Sequence, residues 1–137
     1  MRFESKADLQ RERRAMDLFC SQYNLSSKKL GDNDVDFMVF NANGDHIGFA
    51  EVKGRPGKSI NDDMILSVSI AKLHKLQSKR LNPIIIWACE DGIIYAKAIK
   101  LRGKVKWQGR TPRRGASNDE EFMVFFENQP AMQRARY

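Results

Sequence analysis

Apolar residues recur at three- and four-residue spacing near the start of the chain. Over residues 4 to about 23 they form one stripe: Leu9, Met16, Phe19, Cys20 and Tyr23. This period is typical of an amphipathic helix. Glu12 falls within the stripe, and a carboxylate on a buried helix face is costly unless it meets a partner or a cation. The pattern predicts an inward role for Glu12; a place at the stripe's edge, paired with a surface arginine, is the alternative.

The next segment predicts a loop followed by a β-hairpin. Residues 26–34 are polar, with Gly and Asn, and are typical of a loop. Residues 35–40 are rich in β-branched and aromatic types and predict a strand. Asn41-Ala-Asn-Gly-Asp45 predicts a tight turn, because Asn-Gly accepts positive φ. Residues 47–53 then form the partner strand.

Residues 62 to about 80 predict a second helix with a broad apolar face. Acidic residues stand at its beginning and basic residues at its end, as the helix dipole favours. Lys72 lies within the apolar face. Its side chain either follows the apolar surface to water or reaches a phosphate in a cleft.

Three further apolar runs complete the predicted fold. Residues 83–89 are continuously apolar, as expected of a strand covered on both faces. Residues 93–99 and 122–126 predict two more strands. The class is therefore α/β, with a mixed β-sheet flanked by helices in the order α-β-β-α-β-β plus a C-terminal strand.

The segment of about 100–117 is strongly basic and rich in turn-forming residues. Its cations surround one tryptophan, Trp107: they are Lys100, Arg102, Lys104, Lys106, Arg110, Arg113 and Arg114. Such a loop or hairpin can neutralise phosphates while the indole stacks on a base. The alternative is a solvated loop with the indole packed on the core. Residues of about 127–137 predict a loosely held tail.

The length and the net charge of the chain limit the classes of protein to which it can belong. The 137 residues fit one domain, 1–137, without internal repeats. The net charge of +7 and the pI of about 9.6 favour a polyanionic partner, either nucleic acid or an anionic membrane surface. Charge alone does not decide this, because many basic proteins bind nothing specific.

The two cysteines and the absence of long apolar runs predict the cellular compartment of the protein. Cys20 and Cys89 lie far apart in apolar segments, which predicts buried thiols in a reducing environment. Without a Cys/His cluster, zinc is not expected. No run has the length of a membrane span, and the charged N-terminus lacks a signal core. We expect a cytoplasmic protein of a bacterial or phage-infected host cell, without membrane partners.

The candidate chemistry lies on the predicted hairpin. Glu51 and Lys53 are two residues apart, so they project from the same face of a strand. Asp36 lies on the preceding strand and directly precedes the run Phe37-Met-Val-Phe40; Asp32 and Asp34 are competitors for its place. Opposed carboxylates beside a lysine suit a hard cation and a phosphate. The alternatives are a surface ion pair worth under about 1 kcal/mol and a solvent-facing acid on an edge strand.

With these residues in place, the chain resembles the PD-(D/E)XK nuclease superfamily, the fold of many restriction enzymes and Holliday junction resolvases. The matching residues are Asp36, then Glu51-Val52-Lys53, with Glu12 supplied by the first helix. The resemblance covers residues 4 to about 100 and implies a restriction endonuclease-like core. The motif's Pro-Asp is absent, since Val35 precedes the aspartate.

The resemblance also implies a metal site and roles for its residues. Asp36, Glu51 and the backbone carbonyl of Val52 would hold Mg²⁺, with Mn²⁺ as a substitute and no organic cofactor. Lys53 would orient or activate the attacking water, and Glu12 would bind a second cation or a metal-bound water. Contacts to nucleic acid are expected from Lys72 and Arg55 and, on the composition of the basic segment alone, from Lys104, Lys106, Trp107, Arg110, Arg113 and Arg114.

The functional hypothesis is a Mg²⁺-dependent endonuclease on DNA, with structure-dependent or weak sequence preference. DNA rather than RNA follows from the family resemblance, and the small size fits a phage protein. Resolvase-like cutting would need two sites and hence a homodimer. The alternatives are a nucleic-acid-binding module that keeps the fold without catalysis, and a basic protein that merely coats nucleic acid.

Overall fold

Two helices and nine strands make up the part of the chain that the computed structural model describes, residues 6–30, 37–77, 82–108 and 121–137. The helices are α1 (Lys6–Tyr23) and α2 (Ile70–Gln77). The strands are β1 (Ser26–Lys29), β2 (Phe37–Phe40), β3 (His46–Gly54), β4 (Leu66–Ser69), β5 (Asn82–Ala88), β6 (Gly92–Lys97), β7 (Lys104–Gln108), β8 (Glu121–Phe126) and β9 (Gln133–Arg136). One 3₁₀ turn, Ala98–Lys100, follows β6.

The strands form two sheets. The larger has six strands in the order β1-β2-β3-β5-β6-β9, and the smaller has three in the order β4-β8-β7. β3 and β5 run parallel, and the other neighbours are antiparallel. The predicted mixed α/β class with a helix-flanked sheet is confirmed. The predicted order of elements lacks β1, β4, β7 and β9.

Two apolar cores lie on opposite faces of the six-stranded sheet. On one face α1 packs against β3, bringing Met16 and Phe19 together with Ala50 and Val52. The other core joins the six-stranded sheet to the smaller sheet and includes Trp87, Leu66 and Phe126, with Leu73 of α2 packed against it. β5 contributes to both cores, which explains its continuous apolar sequence.

The predicted first helix is confirmed, but its buried face is narrower than the apolar stripe. Its buried residues are Glu12, Ala15, Met16, Phe19 and Cys20. Leu9 and Tyr23, at the two ends of the stripe, are 41% and 52% exposed. The helix therefore rests on the sheet through its middle, and Glu12 stands at the beginning of that contact.

The predicted hairpin turn is confirmed and is held by one side chain. The Asn41 Oδ1 atom accepts hydrogen bonds from the backbone N–H groups of Asn43 at 3.0 Å and Asp45 at 2.9 Å. Gly44 adopts a φ of +85°, which other residues rarely accept. These contacts fix the reversal between β2 and β3 and therefore the position of Glu51.

The predicted helix over residues 62 to about 80 is wrong in its first half. Residues 66–69 are strand β4, and α2 begins only at Ile70. Leu66 and Val68 alternate into the second core, where β4 pairs with β8. The partner strand lies more than fifty residues later in the chain, so the local apolar pattern did not reveal it.

Two segments predicted as loop or tail contain strands, and so does the basic segment. Residues 26–29 form an edge strand on β2, and residues 133–136 pair with β6, so the C-terminal segment is not loosely held. Residues 104–108 pair with β8. Edge strands are stabilised by backbone hydrogen bonds on one side, so their sequences need no apolar alternation.

Gly92 allows β9 to approach β6 closely. A Cβ atom at this position would lie 2.1 Å from the backbone oxygen of Ala135. We expect Gly92→Ala to lower the free energy of unfolding by about 3 kcal/mol, because the β9 backbone must move away. Urea unfolding measures this. Gly54→Ala is the matched control, since its Cβ would meet only side-chain atoms, at 3.4 Å or more; equal stability losses would contradict the expectation.

Both cysteines are buried free thiols, as predicted. Burial raises the pKa of the Cys89 thiol to about 11. Neither α1 nor α2, the helices of the described chain, is long and apolar enough to cross a membrane.

Candidate active site

The Glu51-Val52-Lys53 stretch lies where β3 extends past its neighbour β2. The β2–β3 ladder starts with Phe37 opposite Ala50. In the described part of the chain, the remainder of β3 pairs with β5 alone, with Glu51 opposite Ile85.

The alternation of β3 directs Glu51 away from α1. Ala50 and Val52 are buried in the core beneath α1. Glu51 and Lys53 alternate with them and so project from the opposite face, towards α2. Glu51 is only 2% exposed, whereas Lys53 is half-buried. The strand thus presents a buried carboxylate and a more accessible ammonium side by side.

Lys72 of α2 forms an ion pair with Glu51. Its Nζ atom lies 2.8 Å from the carboxylate Oε1, and the side chains are 37% and 3% exposed, respectively. A carboxylate removed from water needs such compensation. The sequence predicts that the Lys72 side chain reaches either water or a phosphate, and neither prediction includes Glu51 as its partner.

The first turn of α2 holds Lys72 in place through a cap. The buried Ser69 is the last residue of β4, and its Oγ atom accepts a hydrogen bond from the Lys72 backbone N–H at 3.2 Å. This is the contact from an N-cap residue to the third helical residue. Because the helix starts at Ile70, Lys72 belongs to its first turn and not to its middle.

Glu12 is buried, but on the α1 side of the sheet. Its carboxylate Oε2 lies 2.6 Å from the Nζ atom of Lys29, whose ammonium also lies 5.4 Å from the Phe37 ring centroid. The inward orientation is confirmed, with a lysine of β1 as a partner. α1 packs on the face of β3 opposite to Glu51, so the shared site of the two acids stays a prediction.

The beginning of α1 nevertheless reaches the end of β3. A Cβ atom at Gly54 would lie 3.4 Å from the Arg11 side-chain Cδ. Arg11 also donates to the Asp8 carboxylate at 2.9 Å. The first turns of α1 therefore lie beside the strand end that carries Lys53.

Arg55 links the end of β3 to the smaller sheet. Its guanidinium donates to the backbone oxygens of Gly54 at 2.8 Å and Ser67 at 3.1 Å. Burial lowers the pKa of this arginine. These contacts give Arg55 a structural role, and its predicted contact with nucleic acid stays a prediction.

The predicted nucleic-acid contacts of the basic segment fall partly on a β-hairpin. Lys104, Lys106 and Trp107 belong to β7, with Trp107 opposite Phe122 of β8. The hairpin also exposes two large apolar side chains that sequence reasoning missed: Val105 is 54% and Phe122 49% exposed. Asp36, Arg110, Arg113 and Arg114 lie outside the described residues.

The fit of a metal ion depends on the donors near Glu51. Among the described side chains, no group of three His, Cys, Asp or Glu residues could hold a metal ion. Asp36, the other predicted carboxylate ligand, directly precedes β2 and is not among them. The buried Glu51 carboxylate, which contacts an ammonium at 2.8 Å, offers one hard oxygen donor of the kind that Mg²⁺ prefers, and the complete metal site stays a prediction.

Two site features were missed from the sequence. Lys29 lies in the segment predicted as a loop, because Ser26-Ser-Lys-Lys29 carries no apolar alternation. The pairing of Lys72 with Glu51 does not follow from the predicted helix, because that helix begins at residue 62 whereas α2 begins at Ile70. Ser69, a residue type favoured at helix N-caps, was the available signal for a later start of α2.

The chain is similar to one family of phage proteins. A family model described as "Phage putative PDDEXK endonuclease" matches residues 1–130. Neither the curated proteins nor the solved structures include a match to this chain. The family match spans nearly the whole chain, including the Glu51-Val52-Lys53 strand, the helix that carries Lys72 and the basic hairpin. The chain therefore belongs to this phage family of PD-(D/E)XK endonucleases.

Proposed function

We propose that this protein is a Mg²⁺-dependent endonuclease that hydrolyses phosphodiester bonds in DNA. One observation carries the proposal: Glu51 is a nearly fully buried carboxylate that contacts an ammonium at 2.8 Å, on the strand that also presents Lys53. Membership of an endonuclease family supports the reaction class. The choice of DNA and of Mg²⁺ is part of the proposal.

Glu51, Asp36 and the backbone carbonyl of Val52 would hold Mg²⁺ or Mn²⁺. When bound, such an ion offsets the negative charge of a phosphodiester and lowers the pKa of a water. Burial makes Glu51 suitable for this role, because a carboxylate shielded from water interacts more strongly with a cation.

Lys53 is the proposed partner of the attacking water and of the scissile phosphate. It lies two residues after Glu51, on the same face of β3, and its side chain is half-buried. An ammonium there can orient the water or stabilise the charge that develops on the phosphate oxygens. Its position on a strand paired along β5 limits its movement.

The β7–β8 hairpin is the proposed clamp on the DNA backbone. Lys104 is exposed at its start, and the cations Arg110, Arg113 and Arg114 follow β7 in the sequence. The exposed Val105 and Phe122 add apolar surface that can contact sugars or unstacked bases. A clamp of this type contacts phosphates without reading sequence, which supports a weak sequence preference.

The test is incubation of supercoiled plasmid with purified protein in Mg²⁺, in Mn²⁺ and in EDTA. We expect nicking or linearisation with either metal and none in EDTA or with Lys53→Ala. Branched, single-stranded and linear DNA and an RNA of matched length then define the substrate. A wild-type protein that binds these nucleic acids but cleaves none of them with either metal would favour a binding module instead.

The oligomeric state is proposed to be a homodimer if cutting is resolvase-like, because two strands must then be cleaved by two sites. Light scattering of the protein alone and with a branched DNA measures this. A single monomer on each DNA would contradict the resolvase-like version of the proposal and leave single-strand nicking.

The arginines of the basic segment predict a salt effect. Replacing both Arg113 and Arg114 with alanine is expected to weaken DNA binding and to reduce the slope of log affinity against log salt by about two. Fluorescence anisotropy in EDTA at several salt concentrations measures the slope. Arg136, an exposed arginine of β9, provides a single-charge control as Arg136→Ala. An unchanged slope in the double variant would remove these arginines from the interface.

Glu12 predicts a separation of activity from affinity. Glu12→Gln is expected to lower turnover more than DNA affinity, because the glutamine keeps the size of the side chain but not the charge. Single-turnover cleavage and anisotropy measure the two quantities. Wild-type turnover, together with a lowered unfolding midpoint, would restrict Glu12 to its ion pair with Lys29.

A further inference from the structure

The ion pair of Lys72 and Glu51 places an ammonium on a proposed metal ligand. The Nζ–Oε1 distance is 2.8 Å, a full charge-assisted hydrogen bond. A cation bound at the same carboxylate would be repelled by this ammonium. The two positive charges cannot share the carboxylate without a cost.

The Lys72 side chain can reach solvent, whereas the Glu51 side chain cannot. The lysine side chain is 37% exposed, and the glutamate side chain is 3% exposed. The backbone of Lys72 is fixed in the first turn of α2 by the Ser69 cap. Rotation about the side-chain bonds of the lysine can therefore move the ammonium towards solvent while its Cα stays in place.

We infer that Lys72 and the metal ion exchange on Glu51: the ammonium neutralises the carboxylate before the metal binds, then turns to a phosphate of the bound DNA. This inference rests on the proposed metal-dependent function. In the metal-free protein, the Lys72 ammonium stabilises the buried Glu51 carboxylate in its charged form, in which it can bind a metal ion. In the loaded protein, the same ammonium becomes a contact for substrate.

The exchange predicts an inverse effect on metal affinity. Removing the competing charge in Lys72→Met is expected to tighten Mg²⁺ binding about tenfold, since one nearby unit charge no longer opposes the ion. Lys72→Arg keeps the charge and is expected to stay near the wild-type affinity. Lys58→Met, at an exposed lysine on the loop after β3, controls for net charge.

The exchange also predicts that Lys72 contributes to DNA binding only when metal is present. With Ca²⁺ as a probe ion, wild-type protein is expected to bind a short duplex several times more tightly than Lys72→Met does. In EDTA, where the ammonium remains on Glu51, the two proteins are expected to bind equally.

The experiment is calorimetric titration of Mg²⁺ into wild type, Lys72→Met, Lys72→Arg and Lys58→Met at pH 8 and constant ionic strength. Unfolding midpoints are also measured with and without Mg²⁺, because the Mg²⁺-induced change in the midpoint can be compared even when a variant is less stable than wild type. Tighter binding by Lys72→Met alone, with a larger Mg²⁺-induced rise in its midpoint, is the expected result. Equal or weaker binding by Lys72→Met, while wild type binds Mg²⁺, would overturn the exchange alone. No Mg²⁺ binding by wild type would overturn the proposed metal dependence itself.

Discussion

Glu51→Gln is expected to reduce DNA cleavage by roughly a hundredfold to a thousandfold, the loss typical for removal of one group that stabilises transition-state charge. Glutamine has nearly the same volume as glutamate but carries no charge, so the packing around β3 is kept. The side chain would lose its attraction for a divalent cation and for the Lys72 ammonium together. Single-turnover cleavage of plasmid DNA in Mg²⁺ measures the effect.

The control for this variant is Glu127→Gln, at an exposed glutamate just after β8. It removes the same charge from the chain at a place outside the proposed site, and wild-type cleavage is expected. Circular dichroism and the unfolding midpoint confirm that both variants fold. A folded Glu51→Gln protein that cleaves at the wild-type rate would exclude Glu51 from the catalytic site.

Lys72→Met is expected to destabilise the metal-free protein by about 2 kcal/mol, and Glu51→Gln by much less. The reason is the unequal burial of the two partners: Glu51 is 3% exposed and Lys72 37% exposed in their side chains. Loss of the lysine removes the ammonium that lies 2.8 Å from a buried carboxylate. Loss of the carboxylate charge leaves a lysine that can move into water.

The measurement is urea unfolding in EDTA of wild type, both single variants and the double variant. In the double variant, the cost of Lys72→Met is expected to shrink, because the uncompensated charge is gone. Equal losses of unfolding free energy in the two single variants would contradict the expectation based on the unequal burial of Glu51 and Lys72. If Lys72→Met lowers the free energy of unfolding by the same amount in the double variant, the loss comes from a disturbance of α2 by the methionine and not from an uncompensated charge on Glu51.

The hairpin that carries Glu51 and Lys53 could be predicted because all of its signals are local. The Asn-Gly turn, the apolar run before it and the Glu-x-Lys spacing lie within a few residues of one another. The alternation of a strand then fixes which side chains share a face. The family resemblance added roles for these residues, which stay predictions, and the match to the family model confirms the family.

The partners of the two buried acids could not be predicted in the same way. Lys29 meets Glu12 because an edge strand with a polar sequence pairs with β2. Lys72 meets Glu51 because β4 replaces half of the predicted helix and shortens α2. Both outcomes depend on strand pairing, and β4 pairs with a strand near the other end of the chain.

The α1 helix, the β2–β3 hairpin, the buried β5 strand and the nuclease motif can all be predicted from the amino-acid sequence, because hydrophobic period, turn chemistry and residue spacing act over short distances. The folded chain alone shows that Glu51 faces α2, that Glu12 of α1 contacts Lys29 on the opposite side of the sheet, and that the C-terminal segment pairs with β6. These features depend on which strands pair and which layer covers each face. That choice is made by burial and backbone hydrogen bonding across the whole chain, and a local pattern carries no record of it.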